Sequence, residues 1–141
     1  MERREFIKNT CSLCLAIGAG LAVTSLDSCA SSNVYKTIVS ENKIKVPISL
    51  FTNTDFQIIR SESLEYDIAL RKETKSNSYT SMLMQCTHAD NQLSWTGKGY
   101  YCNLHGSKFN SEGNVIKGPA EIAMKKLFTE TTGEYIIITL K

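Results

Sequence analysis

Two short segments in the second half of the chain each combine a cysteine with a histidine. One residue separates Cys86 from His88, and two residues separate Cys102 from His105. The chain has 141 residues and only two histidines, and each histidine lies within three residues of a cysteine. Chemistry that needs several imidazoles is therefore excluded, whereas two thiols and two imidazoles together suit the binding of a metal.

Two kinds of metal site accept this set of side chains. Two cysteines and two histidines can form a tetrahedral structural zinc site. They can also hold a [2Fe–2S] cluster in which two histidines replace two cysteines on one of the irons. The ligand types and their spacing leave both possibilities open.

Glycine and proline are concentrated around the second cysteine–histidine pair. Glycine allows positive φ and close approach of the backbone, so this concentration predicts a loop-rich subdomain at about residues 84–120. The residues concerned are Gly97, Gly99, Gly106, Gly113, Gly118 and Pro119.

The elements that must position these loops are short strands. Runs with β-branched or aromatic residues at alternate positions recur about every ten residues, with polar turns between them, which predicts an antiparallel β-sandwich or small barrel. We expect at most one short helical turn, at 120–126. The predicted strands are 35–39, 43–49, 56–60, 66–70, 79–85, 126–131 and 135–140.

The residues around the two pairs are similar to those of a known family. Gly106 and Ser107 follow His105, Phe109 comes two residues later, and Gly118, Pro119 and Ala120 form a separate loop. From about Leu64 to Leu140 the chain resembles the Rieske [2Fe–2S] proteins. The resemblance implies an all-β, Rieske-type antiparallel β-sandwich over residues 30–141, with the loop-rich segment as the cluster-binding subdomain.

The resemblance also assigns roles to individual residues. It implies that Cys86 and Cys102 bind the inner iron and that His88 and His105 bind the outer iron, which changes oxidation state. It implies no separate catalytic residue. Three further residues are expected to tune the cluster: Gly106 by letting the second loop turn closely around it, Ser107 as a hydrogen-bond donor, and Pro119 in a loop that covers it.

Three positions depart from the respiratory members of the family. Those members have a disulfide between the loops at the positions of Asn91 and Leu104, and a tyrosine donor at the position of Phe109. Hydrogen bonds to the cluster sulfurs stabilise the reduced state. With Ser107 kept and the tyrosine lost, we predict a reduction potential between the ferredoxin and respiratory ends of the family range of roughly −150 to +300 mV.

Residues 1–29 are typical of an export signal or anchor rather than of the fold. Residues 3–8 (Arg-Arg-Glu-Phe-Ile-Lys) resemble a twin-arginine signal, and an apolar stretch follows them. The segment Leu26 to Cys29 looks like a lipobox, which predicts lipidation at Cys29; an uncleaved anchor and a freely soluble product are the alternatives. Cys11 and Cys14 lie inside the apolar stretch, where cysteine behaves as a small hydrophobic residue.

Composition narrows the function further. Lys and Arg number 16 against 14 Asp and Glu, so the net charge is +2, too balanced for a nucleic-acid-binding stripe. The resemblance to the Rieske proteins, together with the export-like segment, implies one-electron transfer through a [2Fe–2S] cluster on the outer, periplasmic side of a bacterial cytoplasmic membrane. The protein would be a carrier or a subunit of a quinol-oxidising or periplasmic oxidoreductase, with a cytochrome-like acceptor.

Two other functions remain possible from the sequence alone. The chain could be a Rieske-type ferredoxin that donates electrons to an oxygenase, or a zinc-stabilised binding module. A terminal oxygenase needs a second iron bound by two further histidines and a carboxylate. The chain has no further histidine, so that function is excluded.

Overall fold

The computed structural model of the chain describes residues 33–141. The predicted signal at 3–8 and the predicted lipidation at Cys29 lie outside the described residues. Within the described part the chain forms one 3-10 helix, Ile48–Phe51, and eleven strands. The strands are β1 (Val34–Lys36), β2 (Lys43–Pro47), β3 (Phe56–Arg60), β4 (Ile68–Lys72), β5 (Tyr79–Leu83), β6 (Ser94–Trp95), β7 (Gly99–Tyr101), β8 (Lys108–Asn110), β9 (Val115–Lys117), β10 (Lys126–Thr132) and β11 (Tyr135–Thr139).

The strands form two sheets. Seven strands pair in the order β1-β3-β4-β5-β10-β11-β2, and four short strands pair in the order β6-β7-β8-β9. All pairs are antiparallel except β1 with β3, which is parallel, so the all-β prediction is confirmed with one parallel pair added. No helix among residues 33–141 is long and apolar enough to cross a membrane.

The larger sheet has an apolar core on each face because its side chains alternate. In β4, Ile68 and Leu70 join one buried cluster, whereas Ala69 between them joins the other. The first cluster combines strands of the larger sheet, including β2 and β11, with Phe51 of the 3-10 helix. The second cluster combines Ala69 with Tyr100 and Phe109 of the smaller sheet, so it lies between the two sheets.

Several predicted boundaries differ from the structure. Strand β3 has the predicted bounds, but β4 begins two residues later than predicted. The predicted strand 43–49 ends at Pro47, where the 3-10 helix takes over, and residues 120–126 contain no helical turn. Proline fixes its own φ and has no N–H to donate to a ladder, which explains why β2 stops there.

The smaller sheet depends on a close approach at Gly99. A Cβ atom added there would overlap the carbonyl oxygen of Phe109 in the paired strand β8, and a backbone atom cannot move without disturbing the pairing. We expect Gly99→Ala to lower the free energy of unfolding by about 3 kcal/mol, measured by urea denaturation. Gly97→Ala is the control, because its added Cβ would meet no atom within 4 Å and only its positive φ is strained. Equal losses in the two variants would contradict this explanation.

Candidate metal centre

Strand alternation directs both cysteines into the core between the sheets. Met82 and Met84 face this core, and Cys86 continues the same two-residue period beyond the end of β5. On the smaller sheet Tyr100 faces the core, and Cys102 follows it with the same period. Both cysteines are 0% exposed, and neither is in a disulfide.

The two loops that follow the cysteines close with the same hydrogen bonds. In the first loop the Cys86 N–H donates to the Asn91 carbonyl at 2.8 Å, and the Asp90 N–H donates to the Cys86 carbonyl at 3.0 Å. In the second loop the corresponding bonds run from Cys102 to the Ser107 carbonyl and from the Gly106 N–H to the Cys102 carbonyl, both at 2.9 Å.

The fifth residue of each loop explains this shared shape. Asp90 and Gly106 both adopt positive φ, at 44° and 81°. Glycine reaches this region without strain, and aspartate is one of the few other residues that enters it with some frequency. The turn predicted at Gly106 is therefore present, and Asp90 makes its counterpart in the first loop.

The Cys102 thiol lies in a polar shell despite its burial. Burial raises the pKa of this thiol, but hydrogen bonds from the backbone of His105 and Leu104 lower it, as do bonds from Cys86 and Asn91, and the net shift of the pKa is downward. Backbone donors directed at a sulfur stabilise the thiolate, which is the form that binds metal. The shell therefore fits a metal ligand better than it fits an inert core thiol.

The two histidines lie side by side on the surface. Their ring centroids are 5.1 Å apart, the planes are inclined by 80°, and both side chains are exposed. The two thiols therefore lie in the core, whereas the two imidazoles lie together on the surface. Among residues 33–141, no three His, Cys, Asp or Glu side chains converge on one point as a single metal ion would require.

A third loop is hydrogen-bonded to both loops that carry a cysteine and a histidine. The Thr87 hydroxyl donates to the Ile122 carbonyl at 2.6 Å, and the Ala120 N–H donates to Ser107 Oγ at 3.0 Å. Pro119 lies beside Ala120 in this loop and is exposed. These bonds fix the third loop to both of the loops that carry a cysteine and a histidine.

The predicted tuning residue Ser107 lies in the core beside the two cysteine–histidine loops, together with Phe109 and Tyr100. Ser107 is 0% exposed, and because its oxygen accepts from Ala120, its own proton remains free to be donated. Phe109 is buried in the same cluster as the two cysteines. Tyr100 lies next to Phe109 across the strands, and its hydroxyl is buried without a hydrogen-bond partner among the described residues.

Sequence reasoning missed the role of Asn91. Its side-chain amide lies 3.8 Å from Cys102 Sγ, and its carbonyl closes the first loop. From the sequence this position is notable only for the cysteine that it lacks. Its polar side chain at the end of a ligand loop was the available signal, but nothing in the sequence shows that it reaches the other loop.

This fold and this paired site define a small iron–sulfur electron-transfer protein. Residues 49–128, more than half of the chain, match the family described as the Rieske [2Fe-2S] domain. The chain therefore belongs to the Rieske family, and its domain binds a [2Fe–2S] cluster. Family membership decides against the zinc site that the residues alone left open.

Two curated relatives are similar over about half of the chain. The chain is 30% identical over 67 residues to the cytochrome b6-f complex iron-sulfur subunit of Chlorobaculum thiosulfatiphilum, a match that covers 46% of this chain and 37% of the relative. The corresponding subunit 1 of Synechocystis is 29% identical over 70 residues, covering 48% of this chain and 39% of the relative. The matched part is thus well under half of each relative's length.

A solved structure confirms the fold. The plasma membrane Rieske protein PetC3 from Synechocystis superposes with a TM-score of 0.56 at 20% identity, covering 68% of this chain and 98% of that one. At this identity the superposition shows that the folds are alike.

Proposed function

We propose that Cys86 and Cys102 hold the inner iron of the cluster and that His88 and His105 hold the outer iron. The observation that carries this assignment is the contrast in burial: both thiols are 0% exposed, whereas the two imidazoles are exposed and adjacent. A cluster with this ligand set accepts and releases one electron at a time. The histidine side is then the route for electrons, because the cysteine side is covered by the core between the sheets.

The surface beside the histidines supports exchange with another protein. Leu104, next to His105, is 56% exposed, and Ile122, bonded to the first loop through its carbonyl, is 69% exposed. Large exposed apolar side chains next to a redox site are typical of a contact surface. Their position suits a short electron path from His88 or His105 into a partner.

The cellular role that we propose follows the sequence of residues 1–29 and the relatives. The protein would be exported through its twin-arginine-like segment and tethered through Cys29 or an uncleaved anchor. On the outer side of the membrane it would serve a quinol-oxidising complex or a periplasmic oxidoreductase. The names of the b6-f subunits support the first kind of complex.

A Rieske-type ferredoxin is the second candidate, and one observation favours it. The chain has Asn91 and Leu104 where a disulfide would join the loops, and both described cysteines are free. Loops held by hydrogen bonds instead of a disulfide are expected of the ferredoxin type. The predicted export segment argues for the first candidate.

A redox titration of the full-length protein, followed by low-temperature EPR, tests the proposal. A rhombic Rieske signal that titrates at a positive potential supports the quinol-chain role. The same signal close to about −150 mV favours the ferredoxin. Absence of the signal with zinc bound instead contradicts electron transfer, and recovery of the full-length protein in the cytoplasm contradicts the proposed location.

A further inference from the structure

The outer face of the smaller sheet carries a groove of about 530 Å³. Strands β7, β8 and β9 supply most of its lining, and Gly106 of the second ligand loop closes one part of it. Because Tyr100 and Phe109 direct their side chains into the core, their neighbours Tyr101 and Lys108 lie on the opposite, outward face. The groove is therefore adjacent to the site and separate from its buried side.

Three lysines line this groove, and no acidic residue does. Lys98, Lys108 and Lys117 are all exposed. Lys108 and Lys117 are direct neighbours across β8 and β9, and like charges in that position are destabilising. The one salt bridge within residues 33–141 joins Arg60 to Asp67, so none of these lysines has an acidic partner there.

The groove also has an apolar part. Ile116 is 66% exposed, and Tyr101 is half-buried beneath Lys108, whose Nζ lies 5.9 Å from the ring centroid. An aromatic and an aliphatic side chain surrounded by charged ones is the usual anatomy of a protein contact, with an apolar centre and a polar rim. A recessed surface of this kind accepts a side chain that projects from a partner protein. The surface of a bilayer has no such projecting side chain.

The position of the groove connects it to the electron route. Gly106 lines the groove and directly follows His105 along the chain. A protein seated in the groove would therefore lie against the loop that presents this imidazole. A surface that both attracts an anion and adjoins an outer-iron ligand is placed to align a partner for electron transfer.

We propose that this groove docks an acidic surface of the protein with which the chain exchanges electrons. This inference rests on the proposed function, and it adds the charge of the partner's contact surface and the place where the partner binds. The three lysines attract the partner's carboxylates, and Tyr101 and Ile116 supply the apolar contact. Pairing with carboxylates removes the repulsion between Lys108 and Lys117, which the free protein retains.

Stopped-flow oxidation of the reduced full-length protein by an acidic plastocyanin tests this docking. We expect Lys108→Glu/Lys117→Glu to slow the second-order rate by about tenfold or more at low ionic strength, because charge steering raises association rates by about 10- to 1,000-fold. The difference should shrink at about 0.5 M salt, where screening acts within a few ångströms. A basic c-type cytochrome as acceptor should show the opposite change.

Lys43→Glu/Lys75→Glu is the matched control. It makes the same change of net charge at edge strand β2 and in the turn between β4 and β5, away from the ligand loops. An equal slowing in the control, or a wild-type rate in the groove variant, overturns the docking proposal. The docking proposal is also overturned if the wild type binds anionic lipid vesicles through Lys108 and Lys117 while its rate with plastocyanin does not depend on these two lysines.

The EPR signal and the reduction potential of each variant keep the two proposals distinguishable. If the groove variant has the wild-type EPR signal and unchanged rates, the docking proposal is contradicted and the proposed function is not affected. Absence of the signal in the wild type removes both. Where charge reversal disturbs the cluster, Lys108→Gln/Lys117→Gln repeats the test with a smaller expected loss of rate.

Discussion

Replacing Cys86 by serine is expected to abolish the Rieske EPR signal of the full-length protein and the iron and sulfide bound with it. Serine supplies no thiolate. The Cys86 side chain is 0% exposed, so the serine hydroxyl at this position would lie in the core. A buried hydroxyl without a partner costs about 1–3 kcal/mol, so the variant should also unfold at a lower temperature. EPR, iron analysis and thermal denaturation measured together check the prediction.

Cys29→Ser is the control for this substitution. The chain has five cysteines, and only Cys86 and Cys102 lie among the described residues. If the two described cysteines are the ligands, Cys29→Ser keeps the full signal and the full iron content. A full signal in Cys86→Ser, or loss of the signal in the control, would show that the ligand set is assigned wrongly.

His105→Cys separates the role of the imidazoles from that of the thiols. His105 is exposed beside His88, so this substitution leaves the core between the sheets intact. A thiolate in place of a neutral imidazole adds negative charge near the iron and disfavours the reduced state. We expect any cluster that this variant holds to titrate well below the wild type, whereas Cys86→Ser holds none.

The shape of the two cysteine–histidine loops is the part of the candidate site that the sequence predicts most directly. Each loop is local, with its cysteine, its histidine and its turn residue within a few positions of one another. The alternation that buries Cys86 is visible in the sequence as Met82, Met84 and Cys86, and that for Cys102 begins at Tyr100. Such a short-range pattern predicts which side chains are buried, because successive side chains along a strand point to opposite faces of the sheet.

Contacts between the loops could not be predicted in the same way. The bond from Thr87 to the Ile122 carbonyl joins residues 35 positions apart, and the contact of Asn91 with Cys102 depends on how two loops pack. The start of β4 and the change from strand to 3-10 helix after Pro47 also depend on tertiary packing. Intrinsic strand preference is weak compared with such contacts.

The short strands of the smaller sheet show a further limit. Strands β6 to β9 have two or three residues each, so no alternating pattern is long enough to identify them. Their glycines indicated a loop-rich segment, and the structure shows that the segment is a sheet with long connections. The groove lysines become neighbours only through this sheet, since Lys108 and Lys117 are separated by an entire turn along the chain.

Ser107→Ala is expected to lower the reduction potential of the cluster. The wholly buried Ser107 hydroxyl accepts from Ala120, which leaves its proton free for the proposed donation to a cluster sulfur. A hydrogen bond to a charged acceptor is worth about 1.5–3 kcal/mol. A tenfold change in equilibrium constant corresponds to about 1.4 kcal/mol or about 59 mV for one electron, so the whole bond is equivalent to about 65–130 mV. Only the part of the bond energy that differs between the reduced and oxidised states moves the potential, so we expect a decrease of up to this amount in a spectroelectrochemical titration.

Phe109→Tyr should move the potential in the opposite direction. Phe109 is 1% exposed in the same cluster as both cysteines, and the sequence resemblance implies a tyrosine donor at this position in respiratory members. The added hydroxyl would stabilise the more negative, reduced state and raise the potential by a comparable amount. A fall in stability without any change in potential would show that the hydroxyl does not reach a sulfur.

Ser81→Ala makes the interpretation of these two shifts specific. Ser81 is also 0% exposed, but its hydroxyl bonds Thr129 in the larger sheet, away from the ligand loops. Both serine variants lose a buried hydrogen bond, so both should lose stability, whereas only Ser107→Ala should lose potential. Equal potentials in the two variants would assign Ser107 a purely structural role through its bond to Ala120. Opposite shifts for Ser107→Ala and Phe109→Tyr, with none for Ser81→Ala, would show that donors to the cluster set the potential of this protein.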